Sequence, residues 1–135
     1  MSERFTDHGD GTITDNQTGL MWTKDAGTPT VGSCAGGIKT WQEALDYIAC
    51  LNSINYLGYS DWRLPGVKEL ISLVDYSRFS PPLPLSHSFL NVQSYGYWSS
   101  SSYAYYTYYA WIVDVWNGGV INVSKSYNYC VWPVR

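Results

Sequence analysis

Charge is scarce in this chain: 8 Lys and Arg stand against 11 Asp and Glu, charged residues are 14% of 135, and the formal net charge is -3. Without a basic stripe to neutralise phosphates, the composition argues against nucleic acid as the main ligand, and no acidic partner is indicated either. Histidine is equally sparse, with His8 in a polar, turn-rich segment and His87 after a proline loop. No G-x-S-x-G elbow, H-E-x-x-H helix, P-loop or C-x-x-C pair occurs, so the residues of hydrolytic or transfer chemistry are missing and the reading is not an enzyme. Apolar runs last only a few residues, far short of the roughly 20 of a membrane span. The first seven residues, Met1 to Asp7, carry no apolar run of signal-peptide type, so either export by that route is excluded or a leader has been removed. The compartment stays open.

Cysteine is limited to Cys34, Cys50 and Cys130. Cys34 and Cys50 flank the same helix candidate and could pair, while three reduced thiols fit the sequence as well. Asp7, Asp10 and Asp15 lie around Gly9 and Gly11, but without the D-x-D-x-D-G register or a closing bidentate Glu they read as turn caps, and no metal or cofactor is expected. At 135 residues the chain is long enough to bury about two-thirds of its unfolded surface.

Aromatics are abundant, at 17%, and unusual in kind: 13 Tyr and 7 Trp against 3 Phe. Thr12 to Thr14 and Leu20 to Trp22 read as a hairpin around the turn chemistry of Asp15 to Gly19. Thr40-Trp41-Gln42-Glu43 is a capping box, and Trp41, Ala44, Leu45, Ile48 and Ala49 form a stripe on a helix ending near Asn52. Val67, Leu70, Ile71 and Val74 predict a second helix over 66–75. Asp61-Trp62-Arg63 before it reads as an anchor to the core. Pro81, Pro82 and Pro84 mark a long loop.

From Gly96 the pattern becomes strand-like. Trp111, Val113 and Val115 alternate with Ile112, Asp114 and Trp116, Asn117-Gly118-Gly119 makes a hairpin turn, and Val120 to Val123 returns. A last strand is expected at Tyr129 to Val134. The sum is one α+β domain, with a hairpin, two amphipathic helices and an antiparallel sheet.

Nine of the 13 tyrosines lie between Tyr95 and Tyr129, and Ser99 to Tyr109 reads S-S-S-S-Y-A-Y-Y-T-Y-Y. Tyr, Ser and Asn are the residues of paratopes. Strand-forming tyrosines would explain some of them, but adjacent pairs such as Tyr105-Tyr106 point to opposite faces, so one of each should be exposed.

Arg4 to Trp22 (R-F-T-D-H-G-D-G-T-I-T-D-N-Q-T-G-L-M-W), Trp41 to Tyr47 (W-Q-E-A-L-D-Y), Gly58 to Pro65 (G-Y-S-D-W-R-L-P), Tyr97 to Ser100 (Y-W-S-S) and the closing V-x-P-V-R of Val131 to Arg135 resemble the Lcl C-terminal domain family. The resemblance implies a C-type-lectin-like fold across 1–135, with 1–93 as scaffold and 94–135 as a variable, ligand-presenting region. Such proteins also serve as the variable proteins of diversity-generating retroelements, in which adenine-directed errors rewrite the end of the gene.

Three features fit that implication. The family's usual closing is V-R-P-V-R, and Trp132 is one adenine change from an AGG arginine codon. Ser94 to Arg135 has no Gln, Glu or Met and one Lys, as randomised AAC codons would leave it. An unpaired Cys130 beside Tyr129 is what undirected sampling tolerates. Calcium-dependent sugar binding is not implied, because the E-P-N or Q-P-D triplet is absent and Trp116-Asn117-Gly118 lacks the Asp of a W-N-D set. The cysteine pair of formylglycine-generating enzymes has no counterpart either.

The expected function is therefore non-enzymatic binding of a protein or glycan ligand. The expected contact residues are Tyr103, Tyr105, Tyr106, Tyr108 and Tyr109 in the loop, Ile112, Asp114, Trp116 and Asn117 beyond it, then Asn122, Tyr127, Asn128, Tyr129 and Trp132. Trp98, Trp111, Val113 and Val131 are expected in the core. A fixed glycan-binding or adhesive module, and an assembly domain with tyrosines at a subunit interface, remain as alternatives.

Overall fold

A computed structural model of the chain describes residues 4–74, 89–115 and 118–135. The order is β1 (Phe5–Asp7), β2 (Thr12–Asp15), β3 (Met21–Thr23), α1 (Trp41–Ser53), a 3-10 turn at Tyr56–Gly58, α2 (Val67–Ile71), β4 (Gly96–Ser102), β5 (Tyr109–Asp114) and β6 (Gly119–Ser124). The strands form two antiparallel three-stranded sheets, β1-β2-β3 and β4-β5-β6. The architecture is mixed α+β, as expected. No described helix is long and apolar enough to cross a membrane.

The β2–β3 turn forms because the Asp15 carboxylate accepts from Gln17 N–H at 3.0 Å while Gly19, at φ 77°, donates to the Asp15 carbonyl at 2.7 Å. Arg4 clamps the same buried carboxylate at 3.1 and 2.9 Å. Asp7 and Asp10 also act as turn caps, accepting from Gly9 N–H at 2.9 Å and Thr12 N–H at 3.0 Å.

The α1 capping box is present: Thr40 accepts from Glu43 N–H at 3.3 Å, and Glu43 accepts from Thr40 N–H at 2.9 Å. Its buried stripe is Ala44, Tyr47, Ile48 and Leu51, rotated from the expected one, so that Ala49 is exposed. Tyr47 turns inward because its hydroxyl finds the Pro29 carbonyl. A Cys34–Cys50 disulfide ties the preceding loop to this helix, with Cα atoms 5.7 Å apart. Trp62 is the anchor the sequence suggested. Its backbone is gripped by both ends of the Asn52 amide at 2.8 Å, and its indole N–H donates to the Tyr56 carbonyl at 2.9 Å. The second helix is shorter than expected, although Leu70 and the following Leu73 are fully buried. The proline loop lies outside the described residues.

The expected last strand is replaced by an extended segment that bridges several partners in turn. Tyr129 pairs with Lys39, Cys130 with Tyr97, and Val134 with both Trp22 and Arg63. It crosses from the second sheet to the first, so no one neighbour holds it for a full ladder, and Pro133 has no N–H to contribute.

β4-β5-β6 is covered on both faces. Trp98, Ala110, Ile112 and Val123 join the α1 residues in one core, whereas Tyr97, Val113 and Val115 join Ile13, Trp22 and Trp132 in the other. Alternation along β5 therefore separates two cores rather than core from solvent. This corrects three expectations. Ile112, expected at the surface, is 3% exposed. Trp132 is fully buried against Trp22, Phe89 and Tyr97, its indole N–H donating to the Thr23 carbonyl at 3.0 Å. Trp111, expected in the core beside Trp98, Val113 and Val131, is only half-buried, while those three are buried.

Trp132→Ala should cost roughly 3 to 5 kcal/mol in urea unfolding, as for a large aromatic leaving a cavity, and Trp111→Ala markedly less. Replacing Cys34 and Cys50 together by Ser should lower stability by about 3 kcal/mol for a closed loop of this size, the separation being 16 residues, read from the same unfolding curves.

Candidate functional site

The tip between β4 and β5 is a small hydrogen-bonded loop. Tyr103 N–H donates to the Tyr109 carbonyl at 2.8 Å, and Tyr109 N–H to the Tyr106 carbonyl at 2.9 Å. The ladder bulges on its way there, since Trp98 pairs with Ile112 but Ser102 with Ala110. Lys125 braces the base: it donates to the Ser102 hydroxyl at 2.8 Å and sits 3.9 Å from the centre of the Trp41 ring, whose N–H donates to the Ser99 carbonyl at 3.0 Å. The capped helix thereby supports the loop.

On this support the tyrosines stand out from the protein and touch one another. Tyr105 is 82% exposed, Tyr108 62% and Tyr106 54%. Ring centres lie 5.5 Å apart for Tyr103 and Tyr105, 5.9 Å for Tyr106 and Tyr108, and 5.3 Å for Tyr108 and Tyr109. Tyr103 also meets Trp111 edge-on at 5.5 Å. A hollow of about 450 Å³ is lined by Tyr103, Tyr106, Tyr108, Tyr109 and Asn122. This lining offers aromatic faces, phenol hydroxyls and an amide, and no carboxylate, imidazole or amine. It can stack and hydrogen-bond with little loss of side-chain freedom.

The expected contact residues do not share one surface. Asn122 pairs with Trp111 across the ladder, two residues from Tyr109, so these three lie on the sheet face that packs against α2. Asp114 and Tyr129 belong to the opposite face. There Tyr129 packs on Trp98 at 5.3 Å and on Tyr95 at 5.0 Å, and a second hollow of about 220 Å³ is lined by Tyr95, Gly96, Ile112, Asp114, Gly119, Ile121 and Tyr129. A Cβ on Gly96 would come within 2.5 Å of Ile112 and 2.9 Å of the Tyr129 ring, so glycine permits this packing. Burial, with Tyr95, Tyr127 and Asp114 nearby, pushes the Tyr129 phenol above its ordinary pKa. Tyr127 and Asn128 are exposed. Trp116 and Asn117 lie outside the described residues.

Trp132 cannot contact a ligand, because core aromatics enclose it, and Ile112 reaches only the floor of the second hollow. Cys130 is also buried rather than exposed, and desolvation pushes its thiol up to about 11. Sequence reasoning missed Tyr95 and Ile121, both exposed, and the half-exposed Trp111, which walls a third hollow with Gly66, Val67, Lys68, Glu69 and Ser101. Ile121 was detectable as the cross-strand partner of Ile112. The sheet position of Trp111 gave no such signal, since it depends on how far α2 extends. Among the described residues, no three His, Cys, Asp or Glu gather as metal ligands do.

Fold and surface define a small α+β domain that presents clustered tyrosines from a braced loop. The chain belongs to the Lcl C-terminal domain family, which matches residues 11–135. No match was found among curated proteins.

Because the ring of Tyr105 projects into solvent, Tyr105→Ala should change unfolding free energy by no more than about 0.5 kcal/mol. A thermal melt displaced as far as that of Trp132→Ala would show instead that the loop is part of the fold's support.

Proposed function

We propose that this domain is a non-enzymatic binding module of the C-type-lectin-like fold, and that its ligand surface is the tyrosine cluster at the β4–β5 tip. The observation that carries the reading is the exposure of Tyr105, Tyr106 and Tyr108 side by side on a loop braced from beneath. Contiguous exposed aromatic surface on a folded domain is costly to maintain without a partner. Mutual packing of the rings lowers the entropy lost on binding, because they are partly ordered beforehand.

We propose further that this surface is diversified, as in the variable proteins of retroelements. Support comes from the codon-like composition of Ser94 to Arg135. The burial of Trp132 and Cys130 removes both from the argument, since a residue enclosed in the core offers nothing to a ligand. Diversification then belongs to the exposed and half-buried positions of the tip and its surroundings: Tyr103 to Tyr109, Asn122, Tyr127 and Asn128.

Amplicon sequencing of the last 42 codons in a population, with the first 93 as control, tests this reading. The expected result is variation confined to those positions and traceable to adenines in a nearby near-copy, with Ile112 and Trp132 unchanged. A tail as constant as the scaffold would overturn diversification and point to one fixed ligand, for which Tyr106→Ala should weaken binding while the melting temperature stays put.

A further inference from the structure

Strand β6 ends the second sheet, and among the described residues no strand lies beyond it. Lys125 N–H donates to the Tyr108 carbonyl at 2.8 Å, and the register pairs Ala110 with Val123, Ile112 with Ile121 and Asp114 with Gly119. In an antiparallel ladder, bonded pairs recur every second residue. The inward backbone groups of β6 are therefore those of Gly119, Ile121 and Val123. The N–H and C=O of Val120 and Asn122 point away from β5, and no described residue bonds to them.

Exposed edges are ordinarily guarded by a charged residue, a proline or a bulge. Gly119-Val120-Ile121-Asn122-Val123-Ser124 contains neither charge nor proline, and its register runs unbroken over six pairs. Ile121 is 55% exposed beside these unpaired groups. A hollow lies on each side of the edge, the tyrosine hollow reached by Asn122 on the α2 face and the Tyr95–Tyr129 hollow reached by Ile121 on the α1 face.

We infer that β6 takes up an extended peptide segment of another protein as a fourth strand, with alternate side chains entering the tyrosine hollow and the Tyr95–Tyr129 hollow. The inference rests on the binding-module reading and gives its ligand a chemical class. An added strand satisfies the row of main-chain donors and acceptors, and its period of two delivers successive side chains to the two faces. A β6 strand from a second copy would satisfy the same backbone groups. It would bring only Val, Ile, Asn and Ser side chains, which are small beside a hollow of about 450 Å³.

The test selects random linear dodecapeptides displayed on phage against the whole chain and measures the enriched peptide by calorimetry. N-methylation of alternate peptide amides should abolish binding, and N-methylation of the intervening amides should leave it. Asn122→Pro should weaken binding at least about tenfold, because it removes an outward donor without breaking the β5 ladder. Should that variant not fold, the N-methyl series on the unaltered domain decides alone. A peptide lost on Tyr106→Ala but indifferent to N-methyl position and to Asn122→Pro would overturn strand addition and leave the tyrosine surface standing. A peptide that follows the N-methyl pattern yet ignores Tyr106→Ala would support the edge and refute the tyrosine surface. Failure to enrich any peptide, or a dimer that dissociates on Asn122→Pro, would overturn the inference.

Discussion

The two sheets are held in one arrangement by the last seven residues. Cys130 exchanges backbone hydrogen bonds with β4 at 2.9 and 3.0 Å, and Arg135 exchanges a pair with Met21 at 2.8 Å, so one strand-like segment is stitched to both sheets. Between these stitches the Trp132 ring sits in the principal core, contacted edge-on by Trp22 and Phe89. Its indole N–H has a carbonyl partner, which removes the cost of burying a donor. The end of the chain thus closes the fold, and Arg135 pairs with Asp61 while its guanidinium lies 4.0 Å from the Tyr59 ring centre.

That closure decides what the second sheet can display. With α1 on one face and α2 with the first sheet's core on the other, the middle of β5 is buried at Ala110, Ile112 and Val113 and opens only at the half-buried Trp111, so the sheet's most exposed side chains gather at the tip and the β6 edge. The loop can vary without disturbing the core because its contacts are mostly among its own tyrosines. The scaffold beneath is held by backbone partners and by the bidentate Arg4–Asp15 and Arg63–Glu69 pairs. The more exposed Arg63–Glu69 pair contributes little by itself and acts by orienting chain segments, whereas Arg4 supplies the partner that the buried Asp15 carboxylate requires. Arg63 and Glu69 hold the start of α2 against the connector, and Glu69 also accepts from Gly66 N–H at 2.7 Å.

A division into contact and core residues along one strand works only when one face is wet. Along β5 the α1 face is closed over Ile112, whereas the α2 face is closed at Val113 but only half-covered at Trp111, which is why Ile112 was misassigned outward and Trp111 inward. The tyrosines of the tip were legible for a different reason: in the adjacent pairs Tyr105-Tyr106 and Tyr108-Tyr109, successive side chains point to opposite faces and cannot all find the interior of a thin sheet. Trp132 was misread because its identity departs from the family's usual arginine, which says nothing about the space that surrounds it.

Local chemistry written in the sequence therefore determined the β2–β3 turn, the capping box of α1, the Trp62 anchor and the exposure of the tyrosine loop, since each rests on groups a few residues apart. Tertiary structure alone decided the rotation of the α1 stripe toward Pro29, the two-sided burial of β5, the division of the expected site between opposite faces, and the seat of Trp132. Each of these depends on which distant segment lies opposite, and no periodicity along one strand or helix records the neighbour it will meet.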